Sequence, residues 1–181
     1  HPQYLRAHQT IFILYQAIKS VSETSVSVIT PSFEQAEFLE HNLKSVMNQS
    51  GGEVEHVVVD GGSTDGTVDI LETYENRYDL RWVSQPDDGQ SNAINKGIQM
   101  ATGDWICWIN SDDYLLPGAI KTLAGAIQDQ PEADVVYGDY LFVDGRGNEI
   151  GRKYSIPPSK FVHKHYYQFT GNHSMLIKRD T

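Results

Sequence analysis

The stretch Trp105–Tyr114, Trp-Ile-Cys-Trp-Ile-Asn-Ser-Asp-Asp-Tyr, is an apolar run that ends in two adjacent carboxylates. Aromatic and β-branched residues dominate the run, which predicts a fully buried strand. Such a strand would deliver Asp112 and Asp113 into the loop at its carboxyl end, where open α/β sheets bind their ligands. The pair therefore marks a candidate binding site. The alternative is that Asp-Asp only opens a turn or caps a helix that begins near Pro117.

Two adjacent carboxylates repel each other, so the pair needs solvent, hydrogen bonds or a cation beside it. Carboxylate oxygens suit Mg²⁺ or Mn²⁺, which take one or two protein carboxylates and fill their remaining positions with phosphate oxygens and water. The pair therefore suits a divalent cation that is shared with a diphosphate.

Further strand-and-helix units flank this stretch along the chain. The predicted strands are Val26–Ile29, which Thr30-Pro31-Ser32 ends, then His56–Asp60, Leu80–Ser84 and the run from Trp105. The predicted helices carry Leu39, Leu43 and Val46 up to about Asn48, then Val68, Leu71 and Tyr74, then Ile94, Ile98 and Ala101 on one face of Asn92–Ala101, and finally Ile120, Leu123, Ala124 and Ile127 after Pro117 as the first helical residue. Four units in succession predict an α/β fold with a doubly wound, mainly parallel sheet flanked by helices.

The two ends of the chain depart from this pattern. Residues 1–24 are expected to be an accessory segment, helical or tag-derived, and residues 25–181 a single domain. Beyond the fourth unit, Val135–Val143 and Glu149–Arg152 are predicted to be strands joined across the Asp-Gly turn at Asp144–Gly147. A short apolar stretch, Ser174–Ile177, follows an irregular region.

Composition excludes several classes of protein. Lys and Arg number 14 against 24 Asp and Glu, for a formal charge of −10, and no basic run is present, which argues against nucleic acid as a partner. The single Cys107 excludes an intrachain disulfide. No apolar run approaches the roughly 20 residues that span a bilayer. We expect a cytoplasmic protein, or one peripheral to the inner face of the membrane.

The carboxylates after the predicted strands favour a nucleotide as the ligand. Asp60, Asp88 and the pair Asp112–Asp113 each follow a strand, so they converge on one rim of the sheet. A dinucleotide fold is excluded, because its Gly-rich turn should follow the first strand and Thr30–Phe33 stands there instead. Alternatively, Gly61–Gly66 only forms a tight turn that caps the next helix.

Four motifs follow one another in the chain. They are Val28–Phe33 (Val-Ile-Thr-Pro-Ser-Phe), Val59–Thr67 (Val-Asp-Gly-Gly-Ser-Thr-Asp-Gly-Thr), Gln85–Gly97 (Gln-Pro-Asp-Asp-Gly-Gln-Ser-Asn-Ala-Ile-Asn-Lys-Gly) and Asn110–Tyr114 (Asn-Ser-Asp-Asp-Tyr). Together they resemble the motifs of family-2 glycosyltransferases, over about residues 26–178. The resemblance implies a GT-A fold and a metal-dependent transfer of sugar, with inversion, from a UDP-, GDP- or dTDP-linked donor to a glycan or lipid-linked acceptor.

The resemblance also implies roles for individual residues. The nucleotide-binding residues would be Thr30, Pro31, Phe33, Glu34, Asp60, Asp88, Gln90, Asn95 and Asp112. The divalent ion, Mn²⁺ or Mg²⁺, would be held by Asp113 with Asp112. His173 would lie on the acceptor or phosphate side, with a purely structural histidine as the alternative.

The chain departs from the family pattern at three points. Glu34 replaces the usual Asn, and Gly61 replaces a common second Asp. The family's catalytic base lies in an acidic motif farther along the chain than His173–Arg179, so we expect that base beyond Thr181. The catalytic residue is therefore not assigned, and a nucleotide-sugar-binding or assembly domain without turnover is an alternative function. A nucleotidyltransferase would need a basic Gly-rich loop after its first strand, and Thr30–Gln35 has no Lys or Arg.

Overall fold

The computed structural model describes residues 5–6, of which only the backbone is described, together with 24–155 and 171–180. The strands are β1 (Leu5–Arg6), β2 (Ser25–Ser32), β3 (Glu53–Asp60), β4 (Leu80–Ser84), β5 (Trp105–Trp108), β6 (Val135–Tyr137), β7 (Tyr140–Val143), β8 (Glu149–Lys153) and β9 (Met175–Lys178). The helices are α1 (Ala36–Met47), α2 (Thr67–Tyr74), α3 (Gln90–Met100) and α4 (Ala119–Asp129), with a 3₁₀ turn at Asn172–Ser174. Of the accessory segment predicted over residues 1–24, only residues 5–6 and 24 are among the described residues.

One large sheet organises the fold. Its strand order is β1-β6-β9-β5-β2-β3-β4, and β9 is antiparallel to both of its neighbours, whereas the other pairs are parallel. The predicted α/β, mainly parallel sheet is confirmed. From β2 the chain proceeds outward through β3 and β4 and then crosses to β5 on the other side. The carboxyl ends of β2 and β5 therefore form a topological switch point, where such sheets bind ligands.

Helices cover both faces of this sheet. Val57 and Val59 of β3 pack with Ala93 of α3 on one face, while Val58 packs with Leu43 of α1 and Leu71 of α2 on the other. Residues of β2 and β5 pack with α4 in a third cluster that includes Cys107. Burial raises the pKa of the Cys107 thiol to about 12, so this cysteine is an inert core residue.

Strand β2 runs through Pro31 to Ser32, so the prediction that Thr30-Pro31-Ser32 ends the strand is wrong. The Ile29 carbonyl accepts a hydrogen bond from the Ile109 N–H, and the Pro31 carbonyl accepts one from the Ser111 hydroxyl. Ile29 and Pro31 thus both direct their backbone groups toward the β5 side of the sheet. Because β5 ends at Trp108, Pro31 lies past the end of its neighbour, and its missing N–H removes no ladder hydrogen bond.

Helix α3 faces the sheet with its small residues. Ala93 and Gly97 are buried, and a Cβ on Gly97 would lie 2.4 Å from Ile29 Cγ2, which shows how closely the helix approaches β2. The predicted inward face is therefore wrong for Ile98, whose side chain is 39% exposed. Small residues, rather than the larger isoleucines, form the closest contact with β2.

Two other predicted boundaries are also wrong. Helix α4 begins at Ala119, because Gly118 has a φ of 76° and reverses the chain after Pro117. The predicted strand Val135–Val143 is split at Gly138–Asp139, where the Ser155 N–H and hydroxyl bind the Asp139 carboxylate and the Gly138 carbonyl. The chain leaves the large sheet there and forms the separate β7–β8 hairpin, whose predicted turn at Asp144–Gly147 is confirmed.

Two neighbouring ionisable side chains of β3 are buried. Glu55 is 6% exposed, and burial raises its pKa, but hydrogen bonds from Ser27 and Thr102 and from the Arg81 guanidinium outweigh that effect and lower the pKa to about 2. His56 is fully buried, and its desolvation lowers the pKa to about 3. At neutral pH, Glu55 is therefore charged and His56 is neutral.

These two groups predict a loss of stability in acid. The unfolded chain protonates His56 near pH 6.5 and the folded chain near pH 3, so its contribution is complete above 6.5 and falls toward 3. Glu55 adds a second loss between about pH 4.5 and 2. Urea unfolding from pH 7 to 5 should show a slope approaching about 1.4 kcal/mol per pH unit from His56. The His56→Gln variant should flatten this slope and the exposed His41→Gln should keep it; equal slopes in both variants would contradict the assignment.

Candidate functional site

A cleft of about 470 Å³ opens at the switch point between the carboxyl ends of β2 and β5. We call it the switch cleft. Its lining comes from the loops after β2, β3, β4 and β5 and from the start of α3, and consists of Pro31, Ser32, Phe33, Gln35, Gly61, Asp87, Gly89, Gln90, Ala93, Asn110, Ser111 and Asp112. The side chain of Phe33 is 61% exposed and offers an open aromatic face there.

The loop after β5 is held in place by its own polar residues. Asn110 donates from Nδ2 to Asp113 Oδ2 at 3.2 Å, and the Asp113 N–H donates to the Asn110 carbonyl. Ser111 ties the loop to β2 through the Pro31 carbonyl at 2.8 Å. Gln90, at the start of α3, donates to Asn110 Oδ1 at 2.8 Å. The carboxylates of Asp112 and Asp113 are thus carried on an ordered loop, as the sequence predicts for the end of a buried strand.

A second cleft, of about 400 Å³, lies between this loop, the start of α4 and the β7–β8 hairpin. We call it the hairpin cleft. Its larger lining side chains are Asp112, Asp113, Tyr114, Leu115, Leu116, Pro117, Leu123, Asp139, Tyr140, Leu141, Phe142, Val143, Arg152 and His173. Asp112 lines both clefts, so the carboxylate pair stands at their border.

His173 stands beside Asp113 in the hairpin cleft. Its Nδ1 lies 3.6 Å from Asp113 Oδ2, and its ring meets the Tyr140 ring edge to face at a centroid distance of 4.6 Å. Burial raises the pKa of Asp113, His173 opposes the rise, and the neighbouring Asp112 adds to it. The two residues that the sequence placed at the ion and at the acceptor side are therefore neighbours.

A buried chain of hydrogen bonds connects Tyr78 to the Asp113 loop. Asn42 Nδ2 donates to the carbonyls of Asn110 and Asp113, both at 3.0 Å, so Asn42 Oδ1 is left to accept from the Thr30 hydroxyl at 3.4 Å. Thr30 Oγ1 then accepts from His56 Nε2 at 2.9 Å, and His56 Nδ1 accepts from the Tyr78 hydroxyl at 2.8 Å. In this order Tyr78, His56 and Thr30 each donate once and Asn42 donates twice, which gives the neutral His56 its proton on Nε2.

This chain includes the side chain of Thr30, a predicted nucleotide-binding residue. Its side chain is fully buried and hydrogen-bonded to His56 and Asn42, and it is not part of the switch-cleft lining. The side chain therefore supports the Asp113 loop through Asn42.

Asn42→Asp is expected to weaken ligand binding at the Asp113 loop. The substitution keeps the shape of the side chain but turns a carboxylate oxygen toward two carbonyl oxygens, which lose their donor and repel it. We expect the metal-dependent affinity for a nucleoside diphosphate to fall about 10-fold, corresponding to about 1.4 kcal/mol. The same exchange at the exposed Asn48, near the end of α1, is the control. A lower melting temperature with unchanged metal dependence would contradict this positioning role.

The other predicted nucleotide-binding residues divide into three groups. Pro31, Phe33, Gln90 and Asp112 line the switch cleft. Asp88 and Asn95 are exposed and outside its lining. Glu34 and Asp60 instead make contacts within the protein. Glu34, with a φ of 52°, accepts from the Thr64 N–H at 2.8 Å, a conformation that Asn adopts more readily.

Several cleft residues were not predicted from the sequence. Ser32 Oγ and Gln35 Oε1 are buried in the switch cleft without a hydrogen-bond partner among the described residues. Asp87 also lines the cleft, over Gly61. The sequence signal for Ser32 and Gln35 is their position directly around Phe33 at the end of β2. The approach of Asp87 to Gly61 brings two loops together, and no local sequence pattern predicts it.

The carboxylate pair fits a divalent ion that shares its ligands with a diphosphate. Within residues 24–155 and 171–180, no group of three or more His, Cys, Asp or Glu side chains is arranged to hold a metal by itself. Two adjacent carboxylates at the edge of a cleft leave most coordination positions to phosphate oxygens and water, which is how Mg²⁺ is bound at nucleotide sites. In the same part of the chain, no helix has the length and apolar character needed to cross a membrane.

Comparison with known proteins agrees with these features. The sequence is 35% identical over 118 residues to a PGL/p-HBAD biosynthesis glycosyltransferase of Mycobacterium tuberculosis, which covers 64% of this chain and 46% of that protein. The fold is similar to that of S. aureus TarS 1–349 in complex with UDP-GlcNAc, with a TM-score of 0.60, 30% identity, and coverage of 68% of this chain and 36% of that one. It is also similar to the mannosyltransferase PcManGT of Pyrobaculum calidifontis in complex with GDP-Man and Mn²⁺, with a TM-score of 0.56, 25% identity, and coverage of 70% and 37%.

The chain spans about half the length, or less, of the proteins it matches. The family model described as glycosyl transferase family 2 matches residues 27–178, which include both clefts and the Asp112–Asp113 loop. The resemblance inferred from the motifs and the expected GT-A fold are therefore confirmed, and the chain belongs to glycosyl transferase family 2.

Proposed function

We propose that this chain binds a nucleoside-diphosphate sugar in the switch cleft and transfers the sugar, with inversion, to an acceptor that enters from the hairpin cleft. The observation that carries the proposal is the position of Asp112, which borders both clefts. A diphosphate beside this residue would place the sugar at the border, where the acceptor can reach it. The neighbours in complex with UDP-GlcNAc and with GDP-Man and Mn²⁺ support such a donor.

The nucleoside would lie on the aromatic face of Phe33, next to the unpartnered polar atoms of Ser32 and Gln35. Stacking on an open aromatic ring suits any base, because every base has a π face. Asp113 and Asp112 would hold Mn²⁺ or Mg²⁺. This ion would neutralise the negative charge that builds on the departing diphosphate.

The transfer is a single displacement. The acceptor hydroxyl oxygen forms a bond to the anomeric carbon, the bond from that carbon to the diphosphate oxygen breaks, and the hydroxyl proton passes to a base. Attack from the side opposite the leaving group inverts the anomeric carbon. The chain's own contribution is to hold donor and acceptor in line, which lowers the entropic part of the barrier.

The hairpin cleft offers features that suit an acceptor with an apolar portion. Leu116 and Phe142 are exposed there, while Asp139 and His173 bring polar groups to the same space. We therefore propose a glycan or lipid-linked acceptor on this side, with His173 placed toward the reacting groups through its neighbour Asp113.

Titration calorimetry with UDP, GDP and dTDP tests the donor site directly. We expect at least one of them to bind in the presence of Mn²⁺ and to bind much more weakly when a chelator is added, because an uncompensated diphosphate is repelled by the carboxylates. Failure of all three to bind with Mn²⁺ present would contradict the proposal. Release of nucleoside diphosphate from a sugar donor, measured with and without a panel of acceptors, then tests transfer itself.

A further inference from the structure

Asp60, one of the residues that the resemblance assigns to nucleotide binding, is occupied by contacts within the protein. Its side chain is fully buried. Oδ2 accepts hydrogen bonds from the Gly62 and Ser63 N–H groups at 3.1 and 2.9 Å and from the Ser84 hydroxyl at 2.6 Å, and Oδ1 accepts one from the Ser63 hydroxyl. The protein thus supplies four donors to the carboxylate, three of them to Oδ2, and the buried side chain is not part of the switch-cleft lining.

A different carboxylate lies in the cleft beside Asp60. A Cβ built on Gly61 would meet the Phe33 ring at 3.1 Å and Asp87 Oδ1 at 3.5 Å. The aromatic ring and the Asp87 carboxylate therefore converge over the bare backbone of Gly61, where the family commonly has a second Asp. The missing side chain leaves room for the carboxylate that arrives from the loop after β4.

A hydrogen bond fixes the Asp87 side chain in this position, and one of its two carboxylate oxygens accepts no hydrogen bond from the described residues. Its Oδ1 accepts from the Gly89 N–H at 2.8 Å, which fixes the side chain over the loop. In residues 24–155 and 171–180, no group donates to Oδ2. Ser32 Oγ and Gln35 Oε1 lie in the same cleft, buried and without a partner among the described residues. An aromatic face and a carboxylate oxygen without a donor fit a flat ring with a polar edge.

Resting on the proposed function, we propose that Asp87, with Phe33, determines which nucleobase the donor carries. A carboxylate accepts a hydrogen bond from a ring N–H and repels a ring nitrogen that carries a lone pair. On the edge of the ring that would face Asp87, uracil and thymine present N3–H, and guanine presents N1–H together with its amino group. Cytosine and adenine present an unprotonated ring nitrogen there. Asp87 thus selects uracil, thymine or guanine and rejects cytosine and adenine.

Calorimetry with UDP, GDP, CDP and ADP in the presence of Mn²⁺ tests this assignment. The wild-type protein should bind UDP or GDP at least about 10-fold more tightly than CDP and ADP, because an acceptor site disfavours a base that lacks the matching N–H. Asp87→Ala should remove most of this preference, mainly by weakening the favoured nucleotide. Asp87→Asn, whose amide can also donate, should shift the preference toward CDP. Asp79→Ala removes the same charge at the amino end of β4, on the opposite rim, and should keep the wild-type preference.

The outcomes separate this inference from the function on which it rests. If the wild-type protein binds none of the nucleotides, the proposed function fails, and the base assignment fails with it. If UDP or GDP binds but CDP binds equally well, or if the preference survives in Asp87→Ala and in Asp87→Asn, only the role of Asp87 is overturned. Melting temperatures of both variants identify any loss of folding, and the more conservative Asn variant then decides.

Discussion

Asp113→Asn is expected to abolish the metal-dependent part of donor binding, and sugar transfer with it. The asparagine keeps the size of the side chain and can still pair with Asn110, so the loop should retain its shape. What it loses is the charge that balances a divalent ion. Metal assistance is worth several kcal/mol, so we expect affinity with Mn²⁺ to fall by about 100-fold or more, to the level that the wild type shows with chelator.

Asp104→Asn is the matched control for this change. Asp104 lies just before β5, at the opposite end of the strand that carries the Asp113 loop, and is exposed. The Asp104→Asn substitution removes the same charge outside both clefts. It should change the nucleotide affinity by no more than about 2-fold, as for most surface substitutions. Nucleotide affinity that does not respond to chelator in the wild type, or that responds equally in Asp113→Asn, would contradict the metal assignment.

Asp60→Asn is expected to destabilise the fold without changing which nucleotide binds. The amide cannot accept from all of the groups that now donate to the carboxylate, and its NH₂ group would face N–H and hydroxyl donors in a fully buried place. Hydrogen bonds to a charged acceptor contribute about 1.5–3 kcal/mol each, so we expect a loss of at least about 3 kcal/mol in the free energy of unfolding.

Ser84→Ala provides the graded comparison, because it removes one donor to Asp60 and leaves the carboxylate in place. Its cost should be about 1.5–3 kcal/mol, the value of one hydrogen bond to a charged acceptor. Urea unfolding measures both effects, and calorimetry on the folded fraction measures nucleotide preference. A changed preference in Asp60→Asn at unchanged stability would mean that Asp60 contacts the base after all.

The sheet could be predicted from sequence because its strands are buried on both faces. Continuous runs such as Val57–Val59 and Trp105–Ile109 have no polar alternation, and each is followed by a turn and a helical stripe. The Asp112–Asp113 loop followed from the same reasoning, since the carboxyl ends of parallel strands share one rim.

What sequence reasoning missed depends on contacts between distant segments. Pro31 stays in its strand only because β5 ends earlier on that side, and Gly97 faces inward only because α3 lies so close to Ile29. The side chain of Thr30 is hydrogen-bonded to Asn42 and His56, which lie 12 and 26 residues farther along the chain. Asp87 reaches Gly61 across two loops. Local periodicity contains none of this information.

The antiparallel strand β9 has a consequence for synthesis of the protein. Strands β5 and β6 are joined only through β9, which the ribosome makes last of the described strands. Translation proceeds at roughly 5–20 residues per second. One edge of β5 therefore stays unpaired for some seconds after the strand emerges from the ribosome. An unpaired edge is a template for association with other chains. A nascent chain that stalls before residue 173 also lacks His173 beside Asp113. Incomplete translation would therefore yield an aggregation-prone fragment that a chaperone would have to bind or a protease would have to degrade.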